Sequence, residues 1–377
     1  MAEPLKNQFG PAVPKRIAAM VSATYPTFNA RGFVAAALDG YEALELMPRA
    51  RHIATALRRF LPDDYARAAE ILIDSLGPKP ECDADSGMPP FFYLPHVLFV
   101  GAHGLDHFEL SMRAQYELTQ RFTAEFSIRP FLIRHQQRTL KQLEAWSEDA
   151  SVHVRRLVSE GTRPRLPWAV RLPAFQCDPR PVLALLERLQ DDPELYVRRS
   201  VANNLNDIGK DNPALLIATA ARWLKNAPAP RAALVRHALR SSIKAGNRQA
   251  LALLGFGGKA EVSVRGIKIE PKRVRIGGRI RIGFNVVNTS KHTQRVLVDL
   301  KVFYAKANGK TGPKVFKLKK VELARGANAA FAKTLSLADM TTRKHHAGTH
   351  RVEAMLNGHA VKLGRFELAK VKTRIHP

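Results

Sequence analysis

Three things are scarce in this sequence: cysteine, long apolar runs and acidic side chains. Its 377 residues include only Cys82 and Cys177, so a disulfide framework and a cysteine-ligated zinc finger are both excluded. No run approaches the roughly 18 apolar residues that a membrane-spanning helix needs, and the opening residues lack the apolar core of a signal peptide. We therefore expect a cytoplasmic protein with no membrane among its partners.

The shortage of acidic residues leaves a large positive charge. There are 33 Asp and Glu residues against 60 Lys and Arg, a formal charge of +27. An excess of this size indicates a polyanion or an anionic surface as partner and says little about the fold. Because 45% of the residues are apolar, the chain has enough material for sizeable cores and is not a disordered polyelectrolyte.

Charge and patterning change together towards the end of the chain. From Lys259 onwards there are 27 Lys and Arg against 7 Asp and Glu, compared with 33 and 26 before it. The earlier part is rich in Ala, Leu and Arg in helix-length blocks, whereas the later part alternates in short runs such as Arg279–Ile282. Alternation of apolar and polar residues, in runs that are separated by turn-forming pairs such as Gly277-Gly278, predicts antiparallel strands. We predict a helical domain over residues 1–256 and a β-sandwich of roughly seven strands over 257–377.

The helical part contains an internal repeat. Val154–Arg156 lines up with Val197–Arg199 at an offset of 43 residues, and Val235–Arg236 forms a weaker third copy 38 residues further on. A period near 40 with paired helices is typical of HEAT-type solenoids, in which each unit buries its apolar stripe against its neighbours. Such arrays curve, and an extended ligand usually binds their concave surface.

Helical spacing gives the repeats a polar face opposite the apolar stripe. The offset of 43 puts side chains from the first two copies on one surface, and these are Arg156, Glu160, Arg199, Asn203 and Asp207. One interpretation is that arginines and carboxylates form ion pairs between repeats. The other is that arginines hold phosphates while a carboxylate acts on the bound strand.

Trp168 differs in its setting from an ordinary core tryptophan. It ends the connector Arg163–Trp168, in which prolines prevent the helix from continuing. An aromatic ring among Arg163 and Arg165, close to Glu160, suits stacking on a base or sugar, or contact with a cation. The alternative is a loop side chain tucked over the core.

Glu125 is a carboxylate in apolar surroundings. Its neighbours Phe122, Phe126 and Phe131 surround it in the sequence, so it must be paired or have a raised pKa. The simplest partner is Arg129, which lies four residues further along a helix.

Seven sequence segments resemble those of a known protein family, and they are Leu5–Gly10, Tyr41–Leu46, Arg51–Ala54, Tyr116–Phe126, Ile128–Phe131, Ser159–Pro164 and Asn203–Asp207. In this order they resemble the AlkC/AlkD superfamily of alkylation-repair DNA glycosylases, and the AlkC branch in particular. The match covers residues 1 to about 250. One departure is Ser127, where Ala is expected. The tail resembles the immunoglobulin-like domain that some AlkC proteins carry.

The resemblance implies an all-α HEAT-like solenoid followed by an all-β immunoglobulin-like sandwich. It implies an enzyme that wraps damaged duplex DNA and excises bases made cationic by alkylation, such as 3-methyladenine and 3-methylcytosine, without drawing the nucleotide into a pocket. The family's catalytic and cleft positions, carried over by motif, fall on Glu125, Glu160, Trp168 and Asp207. No cofactor is implied.

We also expect no metal, because His103 and His107 have helical metal-ligand spacing but no third and fourth ligand. Alkylated double-stranded DNA is the expected partner of a monomer. A non-catalytic HEAT-repeat protein that recognises distorted duplex is the alternative, and an adaptor for acidic proteins a further one.

Two sets of side chains are expected to contact this DNA. The first, in the helical domain, comprises Arg155, Arg156, Arg163, Arg165, Arg199 and Asn203. The second, in the tail, comprises Lys272, Arg273, Arg275, Arg279 and Arg281. The tail set flanks Gly277-Gly278 and predicts a basic hairpin that grips phosphates or enters a groove. The alternative is a solvated edge strand that resists aggregation.

Overall fold

The computed structural model describes residues 5–79, 91–340 and 344–370. The chain divides into two compact units, Met1–Ala238 and Leu239–Pro377. The boundary predicted after residue 256 lies between the last helix, which ends at Leu253, and the first strand, which begins at Val262. The compact units divide earlier, after Ala238. In the described part of the chain, no helix combines the length and the apolar character that crossing a bilayer requires.

The first unit is helical. Its α-helices are α1 (Ala12–Thr24), α2 (Ala30–Leu38), α3 (Leu46–Phe60), α4 (Tyr65–Ser75), α5 (Leu94–His103), α6 (Phe108–Thr119), α7 (Ile128–Arg134), α8 (Gln136–Trp146), α9 (Val152–Gly161), α10 (Pro173–Cys177), α11 (Arg180–Leu189), α12 (Leu195–Asp211), α13 (Pro213–Leu224) and α14 (Ala229–Ala238). Short 3-10 turns cover Leu5–Gln8, Tyr41–Ala43 and Phe91–Tyr93.

Local signals in the sequence explain where several of these helices begin. The Asp64 carboxylate accepts hydrogen bonds from the backbone amides of Ala66 and Arg67, which caps α4. Asn29 caps α2 in the same way through the amide of Gly32. Proline lies in the first turn of α5, α10, α11 and α13, where its missing amide removes no helical hydrogen bond.

The three helices that carry the Val-Arg repeat are neighbours. Helix α12 packs against α9 on one side and α14 on the other. The predicted apolar stripe of α12 is confirmed, because Val197, Val201, Leu205 and Ile208 are all fully buried. Each helix buries its stripe against the next one, which leaves the polar residues of α9 and α12 close together.

The second unit contains two short helices and a β-sandwich. The helices are α15 (Arg240–Lys244) and α16 (Arg248–Leu253). The strands are β1 (Val262–Glu270), β2 (Arg273–Arg275), β3 (Arg279–Asn288), β4 (Gln294–Ala305), β5 (Thr311–Leu323), β6 (Asn328–Ser336), β7 (Gly348–Leu356) and β8 (His359–Ala369). They form a three-stranded sheet in the order β1-β3-β6 and a five-stranded sheet in the order β2-β8-β7-β4-β5.

Alternate residues of the strands fill the space between the two sheets. Ile280, Ile282 and Phe284 of β3 are buried, as are Val298 and Leu300 of β4. This alternation is the pattern that predicted the sandwich.

The predicted hairpin around Gly277-Gly278 is wrong. Strand β2 pairs with β8 in the five-stranded sheet, in parallel, whereas β3 pairs with β1 and β6 in the other sheet. The glycine pair therefore connects two sheets, and the strands on either side of it do not pair with each other.

Candidate active site

The packing of the helical unit brings three predicted acids together. Glu160 lies near the end of α9, Asp207 lies on α12, and Glu125 precedes α7. All three side chains are shielded from solvent, with exposed fractions of 14% for Glu125, 7% for Glu160 and 1% for Asp207. Carboxylates this buried require compensating charges.

Two arginines join the three carboxylates into one row. Arg156 Nη1 lies 3.0 Å from Glu125 Oε2, and Arg156 Nη2 lies 3.8 Å from Glu160 Oε1. Arg163 Nη1 donates to Glu160 Oε1 at 2.6 Å, and Arg163 Nη2 lies 2.8 Å from Asp207 Oδ2. Lys210 completes the row at 2.6 Å from Asp207 Oδ1, so three anions alternate with three cations.

The row lies beside a cavity of about 410 Å³. Glu125, Glu160 and both arginines line it, whereas Asp207 does not. Aromatic rings form much of the remaining wall, and they are Phe91, Phe122, Phe126, Trp168 and Tyr196. The cavity therefore combines carboxylates with flat apolar surfaces, which is a combination suited to a sugar or a base.

Glu160 is held at both of its oxygens. Its Oε1 accepts from Arg163, and its Oε2 accepts from Ser200 Oγ at 2.6 Å. Burial alone would raise the pKa of Glu160, but the charges of Arg156 and Arg163 and the hydrogen bonds from Ser200 and Arg163 outweigh burial and bring the pKa below its ordinary value. Glu160 is therefore ionised at neutral pH.

Trp168 lies in an exposed loop and has an unusual backbone. Its φ is +62°, a conformation that non-glycine residues seldom adopt and that clusters at functional sites. Trp168 is 58% exposed, so the alternative of a side chain tucked over the core is wrong. A second cavity of about 260 Å³ adjoins Trp168 and shares Met47 and Phe126 with the first.

Arg129 holds the loop that carries Trp168. The guanidinium donates to the carbonyl oxygens of Gly161, Arg163 and Val170 at 2.9, 2.8 and 2.7 Å, which lie on both sides of Trp168. The predicted pair between Arg129 and Glu125 is therefore wrong, because Glu125 pairs with Arg156. Arg129 is completely buried, and burial is the main cause that lowers its pKa to about 10.

Two other predicted arginines are engaged in ion pairs. Arg155 donates to both oxygens of Asp192 at 2.6 and 3.2 Å, which links neighbouring repeats. Arg165 Nε donates to Asp211 at 2.7 Å. Both arginines belong to the set expected to contact DNA, and each already forms an ion pair with a carboxylate. On the predicted polar face, the ion-pair interpretation holds for Arg156, which pairs with Glu125 and Glu160.

Arg199 and Asn203 have different surroundings. Arg199 is exposed on α12 and forms no ion pair with another residue in the described ranges. Asn203 Oδ1 lies 3.2 Å from Nε2 of His237 on α14. Of the predicted polar surface, Arg199 is thus the cation that is open to a ligand.

The five predicted cations of the tail are exposed. Arg273 and Arg275 flank the buried Val274 on β2, so they point out from the five-stranded sheet. Arg279 and Arg281 point out from the opposite, three-stranded sheet. Lys272 precedes β2. Within the part of the chain that the structure describes, none of the five forms an ion pair.

Sequence reasoning missed several residues of the site. Tyr196 lines the cavity. Cζ of Arg156 lies over the Tyr196 ring, 5.1 Å from the ring centroid. Thr123 Oγ1 donates to Glu125 at 3.0 Å, and Ser200 donates to Glu160. A helical projection of α12 offers one weak signal, since Tyr196, Ser200 and Asn203 fall on adjoining turns of one side.

Comparisons with known proteins concern both parts of the chain. Residues 263–370 match the family described as the C-terminal Ig-like domain of the uncharacterised protein YhaZ. The uncharacterized protein YhaZ of Bacillus subtilis (strain 168) is 38% identical over 342 residues, which are 90% of this chain and 92% of that protein.

A solved structure is similar over almost the whole chain. It is the Pseudomonas fluorescens alkylpurine DNA glycosylase AlkC, bound to DNA containing an abasic site analogue, with a TM-score of 0.90 and 39% identity over 97% of this chain and 100% of that one. The predicted order of a helical region followed by an immunoglobulin-like domain is confirmed. Similarity of this degree over both regions means that the chain belongs to the AlkC family.

Proposed function

We propose that this protein is a monofunctional DNA glycosylase acting on cationic alkylated bases, such as 3-methyladenine and 3-methylcytosine, in duplex DNA. The observation that carries the proposal is the cavity in which Glu125 and Glu160 face an exposed tryptophan. The Pseudomonas fluorescens relative, an alkylpurine DNA glycosylase solved with DNA, supports the same activity.

An ionised carboxylate suits this reaction better than an acid does. A base with a formal positive charge is already a good leaving group, so no group needs to protonate it. The bond from C1′ to the base nitrogen breaks, its electron pair leaves with the base, and the sugar becomes oxocarbenium-like. A nearby anion stabilises that cation, and water adds to C1′ as a carboxylate takes its proton. Glu160, ionised at neutral pH, fits the role of this anion.

The three acids are proposed to have separate roles. Glu160 and Glu125 line the cavity, so we assign them to the sugar and the attacking water. Asp207 is buried outside the cavity with both oxygens held by Arg163 and Lys210, so it acts by orienting Arg163. We assign Trp168 to contact with the deoxyribose, where its ring face favours the developing positive charge.

The cations of the row make this site compatible with DNA. Three carboxylates alone would repel the phosphates of an approaching duplex. Arg156, Arg163 and Lys210 balance that charge within 4 Å, so phosphate contacts are left to exposed cations such as Arg199 and those of the tail. Because Trp168, Glu125 and Glu160 line one cavity and Trp168 is exposed, we propose that the lesion reacts without being flipped. We also propose that the protein binds the duplex as a monomer.

The alternative function is a non-catalytic protein that binds distorted duplex. The ion pairing of all three acids favours it, since paired carboxylates also serve as structural links between repeats. The two functions differ in whether a base is released.

Mass-spectrometric identification of the bases liberated from methylated duplex DNA tests the proposal. We expect the full-length protein to free 3-methyladenine or 3-methylcytosine and to leave unmodified purines in place. Binding of the methylated duplex with no base released at any salt concentration would establish the non-catalytic function instead.

A further inference from the structure

We propose that Ser200 is a positioning residue that fixes the Glu160 carboxylate from behind the cavity. The inference rests on the proposed glycosylase function and adds a residue that acts through Glu160. Ser200 does not line the cavity, so it has no direct contact with the sugar or the base.

The hydrogen bonds at Ser200 have a defined direction. Ser200 Oγ lies 2.6 Å from Glu160 Oε2 and 2.7 Å from Ser159 Oγ. An ionised carboxylate only accepts, and a serine hydroxyl has one proton to donate. Ser200 therefore donates to Glu160 and accepts from Ser159, which forms a short relay that ends on the carboxylate.

The relay crosses between two repeats in a dry interior. Ser200 lies on α12, whereas Ser159 and Glu160 lie on α9. The two serines are 3% and 0% exposed, so water does not compete for the hydroxyl and each bond is stronger than on the surface. With Arg163 on the other oxygen at 2.6 Å, the carboxylate plane is fixed at two points.

The contact between the two helices does not require this hydroxyl. Asn204 joins α12 to α9 independently, because its Nδ2 donates to the Ser159 carbonyl at 2.8 Å and to Thr162 Oγ1 at 3.0 Å. Val197, Val201 and Leu205 bury the apolar stripe of α12 as well. What Ser200 adds is therefore the orientation and charge stabilisation of Glu160.

Four charged or titratable groups interact electrostatically with Glu160, and they are Arg156, Arg163, Arg129 and Tyr196. Glu125 and Asp207 share the two arginines that pair with Glu160. Burial opposes ionisation of Glu160, while Arg156 and Arg163 favour it most strongly. Both arginines remain when Ser200 is truncated. The carboxylate then stays mostly ionised at neutral pH, but it loses one donor and its pKa rises.

The test compares Ser200→Ala with the wild-type full-length protein in single-turnover release of base from methylated duplex. Loss of a hydrogen bond to a charged group is expected to lower the rate constant about tenfold at neutral pH and to move the acid limb of the pH–rate profile up by about one pH unit. Affinity for the duplex is expected to stay within about twofold, because Ser200 touches no phosphate. Ser200→Thr retains the hydroxyl and is expected to keep the wild-type acid limb.

Ser111→Ala is the matched control. Ser111 is another fully buried serine, bonded to Tyr65 at 2.7 Å and outside the cavity, and its truncation is expected to leave rate and pH profile unchanged. Should Ser200→Ala fail to fold, Ser159→Ala removes the donor to Ser200 and must move the acid limb in the same direction by a smaller amount.

The outcomes separate the two proposals. If wild type releases no base, the proposed function fails before Ser200 is tested. If wild type is active and the serine variants that fold keep both its rate and its acid limb, the positioning role of Ser200 is overturned.

Discussion

The helical unit, Met1–Ala238, and the second unit, Leu239–Pro377, called the β-unit from here on, differ in the balance of their charges. Among the described residues, the helical unit has a long series of ion pairs, from Lys6–Glu45 to Arg231–Asp191. The chain from Lys259 onwards has 27 Lys and Arg and only 7 Asp and Glu, and its cations have few possible partners within their own unit.

This difference separates two kinds of electrostatic work. In the helical unit, Arg156 and Arg163 are bound to carboxylates at fixed distances, so they shape a site and carry little long-range attraction. In the β-unit, Arg273, Arg275, Arg279 and Arg281 are exposed, and we expect them to attract a polyanion without specifying any chemistry. The net charge of +27 therefore indicates a class of partner, whereas the row of paired charges from Glu125 to Lys210 marks the proposed site of the reaction.

The largest effect is expected from the acid in the middle of the row. Glu160→Gln keeps the shape and removes the charge, so single-turnover release of the base should fall about 10²–10³-fold, while affinity for methylated duplex changes only a few-fold. The control is Glu144→Gln, which breaks an exposed pair with Arg188 and should leave the rate within about twofold. Equal losses in both variants would mean that ion pairing alone explains the result.

The exposed arginines of the β-unit come next. Replacing Arg273, Arg275, Arg279 and Arg281 by glutamine should reduce the salt dependence of DNA binding, by about 0.9 in log–log slope for each phosphate that an arginine no longer neutralises. Because β2 and β3 face outwards from opposite sheets, we expect the loss to reside in one pair of arginines. Fluorescence anisotropy titrations of the two double variants decide which pair, and an unchanged slope in both would place the duplex elsewhere.

Periodic features of the sequence predicted the framework well. Apolar residues repeat every three to four positions in α12 and every two positions in β3. Both sets are buried as expected. The offset between repeats also brought Arg156 and Glu160 beside α12. These features depend on neighbours along one element, which the sequence displays directly.

The sequence did not predict contacts between residues that are far apart in the chain and meet only through tertiary packing. Helical spacing predicts a pair between Arg129 and Glu125, but the guanidinium donates to backbone carbonyls more than 30 residues away. The pair Gly277-Gly278 gives the same sequence signal for a hairpin and for a crossing between sheets. The sequence does not distinguish Ser200 from any other small helical residue, because its contact with Glu160 forms only when α9 packs against α12.

A buried pair in the helical unit gives a further contrast. Arg155→Gln removes the partner of Asp192, whose side chain is 3% exposed, and should lower the free energy of unfolding by about 2 kcal/mol. DNA affinity should stay within about twofold. Arg199→Gln, an exposed position on the next repeat, should show the reverse: unchanged urea denaturation and weaker duplex binding. Weaker binding by Arg155→Gln alone would contradict the division between paired and exposed arginines.

The two units also differ in how acid affects them. Glu160 has a folded-state pKa below its ordinary value, so its contribution to stability is present above pH 4.5 and is lost as the pH falls. Asp299 in β4 is the opposite case. Burial is the main cause that raises its pKa, against the lowering effects of Lys317, a backbone hydrogen bond and Lys244, and its Oδ1 has no hydrogen-bond partner in the described chain. Ionised Asp299 therefore destabilises the folded β-unit at neutral pH.

The smallest predicted effect follows from the raised pKa of Asp299. Asp299→Asn should stabilise the β-unit slightly at neutral pH, because the amide has no charge to desolvate. The gain should fade as the pH falls through the raised pKa of Asp299 towards 3.8, where wild-type Asp299 is itself protonated. Hydrogen exchange of the β4 amides measures this locally, and Glu322→Gln on the exposed side of β5 should change nothing. Faster exchange in Asp299→Asn at neutral pH would show that the ionised carboxylate stabilises the strand. Asp299 would then resemble Glu160, whose ionised form stabilises the folded helical unit.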